Sequence, residues 1–404
     1  MANSAIQDVF IVDAVRTPIG KLGGALSGVR ADDLAAHAVK SIVARNQNLD
    51  PVDIDEVYFG DANGAGEDNR NVSRMAVLLS GLPTTVPGAT VNRLCGSGLE
   101  SVFSASRAIA VGEVDVVIAG GVESMTRAPW VMLKPSKAFP TSHEQMWNSA
   151  LGWRMVNPNM PEAWTVALGE GAELLADKYS ITREEQDQFA AESHSKASAA
   201  WASGSFANEV VAYPNVELAR DECIRADSTV EKLASLKPVF RKGGTVTAGN
   251  SSPMNDGSAA TLLMSSAALN RTGAKPLARI ISRATAGVEP QFYGIGPVEA
   301  AQKALALAGL TWNDIDSVEL NEAFAAQSLA CLRSWPELDK NKVNPQGGAI
   351  AIGHPLGCSG VRILSTLVNN LQRTGGRYGL AAMCIGVGQG IAIVIENSSS
   401  KQFI

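Results

Sequence analysis

The apolar positions of this chain fall into two rhythms that alternate along its length. DVFIVDAV (8–15) and DEVYFGD (55–61) read as short strands, and between them ADDLAAHAVKSIVARN (31–46) spaces its apolar residues along one helical face. LESVFSASRAIAVG (99–112) repeats the helical spacing and stops at Gly112. VDVVIAGG (114–121) is a continuous apolar run, which predicts a buried parallel strand. Strand, helix and strand in this order predict an α/β architecture.

The scheme occurs twice. DIDEVYFGDANGA (53–65) aligns with DIDSVELNEAFAA (314–326) at an offset of 261. CGSGLESV (95–102) aligns with GCSGVRIL (357–364) at 262, and VVIAGGV (116–122) with AAMCIGV (381–387) at 265. Three ordered matches at nearly one offset predict two similar, duplicated halves. Between them the texture changes. RAPWVMLKPSKAF and MWNSALGWRMVNPNMPEAW are rich in Trp, Met, Pro and Asn, and a polar helix follows in ITREEQDQFAAESHSKASAAWASG (181–204). Thr182 is its expected N-cap, with Glu185 completing a capping box. This stretch reads as a loop domain inserted over a rigid core. The expected division is 1–124 with 255–274, an insertion over 125–254, and a second half over 275–404.

Composition narrows the functional classes. The 404 residues are 46% hydrophobic and 18% charged, enough for two or more cores and unlike a disordered chain. A net charge of -6 argues against a broad nucleic-acid footprint but leaves room for an anionic small ligand held by a few local cations. No apolar stretch of about 18 residues is present, so no membrane span is expected. Residues 1–20 read as a polar lead into a strand rather than a signal peptide, and the tail KQFI as free of a targeting address. The five cysteines are odd in number and lack CxxC spacing, which predicts reduced thiols, no zinc site and a cytoplasmic location.

Cys95 lies in NRLCGSGLES (92–101), between a basic residue and two glycines where a helix begins. Free cysteine often packs as a small apolar residue. A helix N-terminus, however, lowers a thiol's pKa through its backbone N–H groups and dipole, and the flanking glycines let backbone approach closely. A nucleophile is the better reading. The run GVGQG (386–390) is followed by the strand-like IAIVIE and not by a helix, so it is no dinucleotide fingerprint.

NRLCGSG, GGVESM, TAGNSSPMNDG, GIGP, NEAFAAQ, GGAIAIGHPLGCSG and CIGVGQG occur in this order, and through them the chain resembles the thiolase family over essentially its whole length. The resemblance implies a thiolase fold, α/β with two duplicated halves in αβαβα layers and an inserted loop domain. It implies CoA-dependent cleavage or Claisen condensation of 3-oxoacyl-CoA, ping-pong through an acyl-Cys95 intermediate. Acyl-CoA thioesters are then the partners and coenzyme A a substrate, with no metal or redox cofactor and a homodimer or homotetramer as the assembly.

The resemblance also implies roles for single residues. His354 activates Cys95 and donates to a thioester oxygen. Asn321, which otherwise could cap the helix EAFAAQSLA, holds a water in an oxyanion hole with His354. Cys384 exchanges the α-proton of acetyl-CoA, and the N–H groups of Gly386 and Cys95 build a second oxyanion hole. Coenzyme A would meet Arg225 and Phe240 at the adenine, and Ala248 and Ser252 near the pantetheine. Leu168, Tyr293 and Phe324 would line the acyl pocket. Structural roles suffice for Cys223, Cys331 and Cys358, and for His37, His143 and His194.

Two departures bear on the substrate. Ala167 and Leu168 stand where many family members have His-Met, and Tyr293 where a methionine is usual. A short-chain enzyme follows, accepting acetoacetyl-CoA, with 3-oxoadipyl-CoA as the leading longer substrate. Tyr293 could donate one hydrogen bond to a terminal carboxylate, or its bulk could instead block longer chains. A 3-oxoacyl synthase of the same fold is the nearest alternative, but it has no use for a second active-site cysteine. A catalytically silent acyl-CoA or lipid carrier is the other, and the intact Cys95, Asn321, His354 and Cys384 argue against it.

Overall fold

A computed structural model describes residues 6–150 and 152–400, so the KQFI tail and the first residues of the polar lead lie outside the described residues. The first half comprises β1 (Val9–Arg16), β2 (Gly20–Lys21), α1 (Ala31–Arg45), β3 (Glu56–Gly60), α2 (Val72–Ser80), β4 (Gly88–Val91), α3 (Ser97–Ala110) and β5 (Val116–Ser124). The insertion carries a short hairpin, β6 (Trp130–Met132) and β7 (Met146–Asn148), then α4 (Leu168–Lys178), α5 (Arg183–Ala202) and α6 (Val230–Ala234). The chain returns through β8 (Asn255–Ser265) and α7 (Ser266–Thr272). The second half follows as β9 (Ala278–Gly287), α8 (Gly296–Ala308), β10 (Ile315–Leu320), α9 (Ala325–Ser334), α10 (Ala349–Ile352), α11 (Leu356–Thr374), β11 (Tyr378–Ile385) and β12 (Gln389–Asn397).

One sheet runs β10-β11-β12-β9-β1-β8-β5-β3-β4, and its pairings repeat about the β1–β9 junction, where Phe10 faces Arg279 and Ile11 faces Ala278. On each side an antiparallel pair leads outward to a second antiparallel pair and then a parallel one: β1–β8, β8–β5 and β5–β3, matched by β9–β12, β12–β11 and β11–β10. Even the outermost parallel pair, β3–β4, has a counterpart in the bridge between Val318 and Val343. The duplication read from the sequence is therefore a duplication of topology.

β5 differs from its expected place in a parallel sheet. It runs parallel to β3 but antiparallel to β8, with Ile118 between Val57 and Leu262. It is apolar throughout because both its faces are covered, which periodicity alone does not distinguish from a parallel environment. Leu34, Val39 and Ile42 of α1 pack with Val116 and Ile118 on one face, while Leu99, Val102 and Phe103 of α3 pack with Val117 and Ala119 on the other.

The same inner cluster holds Val361, Leu364 and Leu367 of α11 together with Met383, Ile391 and Ile393 from the second half. Ala300, Ala301 and Ala304 of α8 cover the opposite face of β11 and β12. The two halves of the sheet lie on either side of α3 and α11, so the layers are helix, sheet, helix, sheet, helix, with α3 and α11 as the shared middle layer. α11 is buried on all sides, as a helix between two sheets must be.

The insertion is tied to the core by charge as well as packing. Arg16 at the end of β1 is fully buried and donates from Nε to Glu209 at 2.6 Å and from Nη1 to Asp221 at 2.7 Å. Leaving any one of the three unpaired would strand a buried charge, so the insertion docks in one register. The capping box on α5 forms as expected, with the Glu185 N–H donating to Thr182 Oγ at 3.2 Å and the Thr182 N–H to Glu185 Oε2 at 2.7 Å.

Candidate active site

Cys95 stands two residues before α3, on a turn that the sequence builds tightly. Leu94 holds a left-handed φ of 49°, an uncommon conformation for a branched residue. Its N–H donates to Asn92 Oδ1 at 2.8 Å and its carbonyl accepts from Ser97 Oγ at 2.6 Å. The flanking glycines are needed for space. A Cβ on Gly96 would lie 2.5 Å from Ile385 Cδ1, and one on Gly98 would lie 2.6 Å from the Gly357 carbonyl oxygen. That second approach seats the start of α3 on the start of α11, and with it Cys95 beside the turn that carries His354.

His354 lies between Gly353, whose φ is 118°, and Pro355. Its N–H donates to Asn255 Oδ1 at 2.9 Å. Nδ1 lies 2.6 Å from Ser359 Oγ, whose own hydrogen goes to the Pro355 carbonyl at 2.8 Å. A hydroxyl has one hydrogen to give, so Nδ1 carries the proton and Nε2 presents a lone pair. Nε2 faces Asn321 Nδ2 at 3.5 Å. Asn321 does not cap the following helix, because that helix starts at Ala325 after Phe324 without a side-chain cap. It sits at the end of β10, its N–H on the Ala382 carbonyl at 3.0 Å.

Cys384 lies on β11, buried with Tyr293 and Ala323. Burial, then the neighbouring Cys95 and Cys331, raises its thiol well above the ordinary range. The N–H groups of Gly386 and of Cys95 itself lower the pKa of the Cys95 thiol, as expected of an N-terminal turn. The net direction is nonetheless the reverse of the expectation. Burial outweighs the amides and pushes Cys95 up to about 11, because removing a thiolate from water costs more than two N–H groups return. His354 is depressed to about 3 by burial and by Arg362. The resting pair is a neutral thiol and a neutral imidazole whose Nε2 carries no proton.

That depression has a measurable consequence. The unfolded imidazole takes a proton near pH 6.5 while the native one holds out to about 3, so stability falls as pH drops through this window. The loss from this one group is about 2 kcal/mol between pH 6.5 and 5. His194, held near 4 by burial and Arg225, adds a second loss as pH falls from about 6.5 to about 4. Urea midpoints at pH 7 and pH 5 should therefore separate less in His354→Gln than in the parent; equal separations would refute the buried, neutral His354.

The structure gathers most of the expected pocket residues. The Tyr293 hydroxyl donates to the Leu168 carbonyl at 2.9 Å. This corrects its expected role toward a carboxylate, since its single hydrogen is already committed. A methyl group on Gly386 would meet Leu94 Cδ1 at 3.6 Å and Leu168 Cδ2 at 3.7 Å, so those two side chains flank the Gly386–Cys95 amides. Phe324 stacks edge-on against Phe240 with centroids 5.9 Å apart, and Phe240 lies over Gly169. Ser252 donates from N and Oγ to the Ala323 carbonyl at 3.0 and 2.9 Å, and Ala248 is exposed nearby on the same loop. Arg225 stands apart. Its side chain is exposed and its N–H is anchored on His194 Nδ1 of α5 at 3.2 Å.

Three positioning residues escaped the sequence reading although each sits inside a quoted motif. Asn255 in TAGNSSPMNDG holds the His354 backbone, and Ser359 in GHPLGCSG fixes its tautomer. Glu123 in GGVESM accepts from the Ala62 and Gly357 N–H groups at 3.0 and 2.9 Å, tying β5 to the first turn of α11. The usable signal was a buried-type polar residue in an otherwise small or apolar motif. Cys331 donates to the Gly294 carbonyl and Cys358 packs inside α11, both structural as expected. All five cysteines are free thiols. Among the described residues no helix is long and apolar enough to cross a membrane.

A duplicated layered core whose inner helices meet at a cysteine and a histidine, with a second thiol and an asparagine alongside, defines an acyl-transfer enzyme of the two-cysteine type. Residues 9–267 match the family model for the thiolase N-terminal domain, and 274–397 that for the thiolase C-terminal domain. The chain belongs to the thiolase family. It is 51% identical to a beta-ketoadipyl-CoA thiolase of Pseudomonas aeruginosa, with 96% of this chain and 99% of that protein covered. It is 50% identical to a 3-oxoadipyl-CoA/3-oxo-5,6-dehydrosuberyl-CoA thiolase of Escherichia coli, covering 97% of this chain and all of that one. Human mitochondrial 3-ketoacyl-CoA thiolase in complex with CoA superposes with a TM-score of 0.92 at 39% identity, over 98% of this chain and 100% of that chain. The protein is thus an acyltransferase acting on acyl-CoA thioesters, with CoA-dependent cleavage and condensation of 3-oxoacyl-CoA as its reaction. Neither the synthase nor the silent-carrier alternative finds support.

Proposed function

We propose that the enzyme cleaves a 3-oxoacyl-CoA with a terminal carboxylate, 3-oxoadipyl-CoA above all, and accepts acetoacetyl-CoA as a shorter substrate. The observation that carries this is full-length identity of about half to several relatives whose names specify that substrate. In this reading Cys95 gives its proton to His354 Nε2 and its sulfur attacks C3. The C2–C3 bond breaks, the electron pair leaves on acetyl-CoA as its enolate, and Cys384 protonates that carbon. The acyl-Cys95 thioester is then attacked by the thiol of a second coenzyme A, whose proton goes to the Cys384 thiolate; the shortened acyl-CoA leaves, and the Cys95 sulfur takes its proton back from His354.

Support for these roles is geometric. The Cys95 and Gly386 N–H groups converge at the Cys95 sulfur, where a thioester oxygen would gain charge, and the protonated His354 with Asn321 can serve the second oxygen. Phe240, Ala248 and Ser252 follow the wall that leads from Phe324 to the surface, which suits a pantetheine arm, with Arg225 further out for the nucleotide. The division at 125–254 is proposed with it, since Phe240, Ala248 and Ser252 all lie in that stretch, with Phe240 over Gly169 of α4. A homodimer or homotetramer in the cytoplasm completes the reading, with the exposed Trp130, Met132 and Met146 of the insertion hairpin as contact surface. Measured kcat/KM values should rank 3-oxoadipyl-CoA above 3-oxohexanoyl- and 3-oxodecanoyl-CoA. A preference for the ten-carbon chain would sink the substrate assignment and the limiting role of Tyr293 together.

A further inference from the structure

We propose that Arg154 is the residue that binds the terminal carboxylate of the acyl chain. The proposal rests on the dicarboxylic reading of the substrate above. A carboxylate carried into a pocket without a cation is strongly disfavoured, so the site must supply one. Tyr293 does not serve, because its hydroxyl is spent on the Leu168 carbonyl. The cation closest in sequence to the nucleophile, Arg93, is spent on Glu100 and Gln389. Arg127 is held by Glu67, and Arg241 by Glu170 and Asp177.

Arg154 is different. It is half-buried and pairs with no carboxylate among the described residues. Only Nη1 is engaged, donating to the Ser149 carbonyl at 2.9 Å. Nε and Nη2 remain as two donors of the planar fork that matches a carboxylate.

Its placement follows from two tethers. The indole N–H of Trp153 donates to the Val166 carbonyl at 3.2 Å, two residues before Leu168, whose side chain flanks the Gly386 amide. On the other side, Ser149 Oγ accepts from Asn63 Nδ2 at 3.0 Å, and the adjoining Ala62 carbonyl accepts from Asn92 Nδ2 at 2.9 Å. Asn92 in turn holds Leu94, the other side chain flanking that amide. Arg154 therefore follows a residue tethered beside Leu168 and is itself bonded to Ser149, whose side chain is tied to the loop that holds Asn92 and Leu94. A four-carbon dicarboxylic acyl group on Cys95 would point its free carboxylate away from the sulfur, toward this guanidinium.

The test compares 3-oxoadipyl-CoA with 3-oxohexanoyl-CoA, which has the same six-carbon chain and no carboxylate. In Arg154→Gln the ratio of their kcat/KM values should fall about 100-fold, chiefly through KM of the dicarboxylic substrate, since truncating a charge partner has effects of that order. Arg154→Lys should recover part of the ratio because the charge remains while the fork is lost. Equal losses on both substrates, or no loss on either, overturn the assignment of Arg154. A parent enzyme with no preference between the two overturns the dicarboxylic reading itself, and the proposal with it.

Discussion

Cys384→Ala is expected to take an acetyl group from acetyl-CoA onto Cys95 and yet fail to exchange the α-protons of that acetyl-CoA with D2O. Condensation should drop by a factor of about a thousand, within the range for loss of a positioned acid or base. Cys95→Ser should show the other pattern, with acyl transfer lost first. The distinction follows from where the two thiols sit. Cys95 has two N–H groups directed at its sulfur, whereas Cys384 has apolar neighbours and Tyr293 around it and is held fully protonated by burial. A group that must first give a proton to a carbanion suits the second environment. Mass mapping of the acetylated peptide and deuterium incorporation into acetyl-CoA read the two steps separately. An acetyl label on Cys384, or normal exchange in Cys384→Ala, would overturn the division of labour.

The contrast also shows what a sequence exposes and what it hides. Periodicity located β1, α1, α3 and β5 because each buries one continuous face or is buried throughout. The repeat located β10 and β11, since a duplicated half reproduces its partner's pattern. Strand direction was not legible: β5 looks the same whether its neighbour β8 is parallel or antiparallel, because burial on both faces erases the difference. The Cys95 pKa was misread for a related reason. The helix N-terminus is visible in the sequence, but the depth at which it is buried is not, and desolvation was the larger effect. The Tyr293 hydroxyl was read as free for a substrate carboxylate, because the Leu168 carbonyl that takes its hydrogen is 125 positions away. Ser359 and Asn255 were quoted within motifs without a role, since both act through His354, and only folding brings Asn255 to it across 99 positions.

Glycine contacts between the halves give the other large effect. Gly121→Ala is expected to destabilise the protein by about 1–3 kcal/mol, as overpacking of a close-packed core does. Its activity should fall further than that, by about 100-fold, because a shift near 1 Å at a reacting group is enough for such a loss. The added methyl would sit 1.9 Å from the Gly357 carbonyl oxygen and 2.8 Å from its carbon. Both atoms belong to the first turn of α11, and neither can rotate away as a side-chain tip would. The turn must move outward, and His354, three residues before Gly357, moves with it relative to Cys95 on the turn before α3. Glu123 would lose its bond to the Gly357 N–H in the same displacement. Gly28→Ala is the control, since a Cβ there meets nothing within 4 Å, and its stability and kcat should stay near the parent's. Urea unfolding and kcat measured on both variants decide the matter. If Gly121→Ala lost stability but kept its kcat, the β5–α11 contact would be a matter of packing alone and would not set the distance between thiol and imidazole.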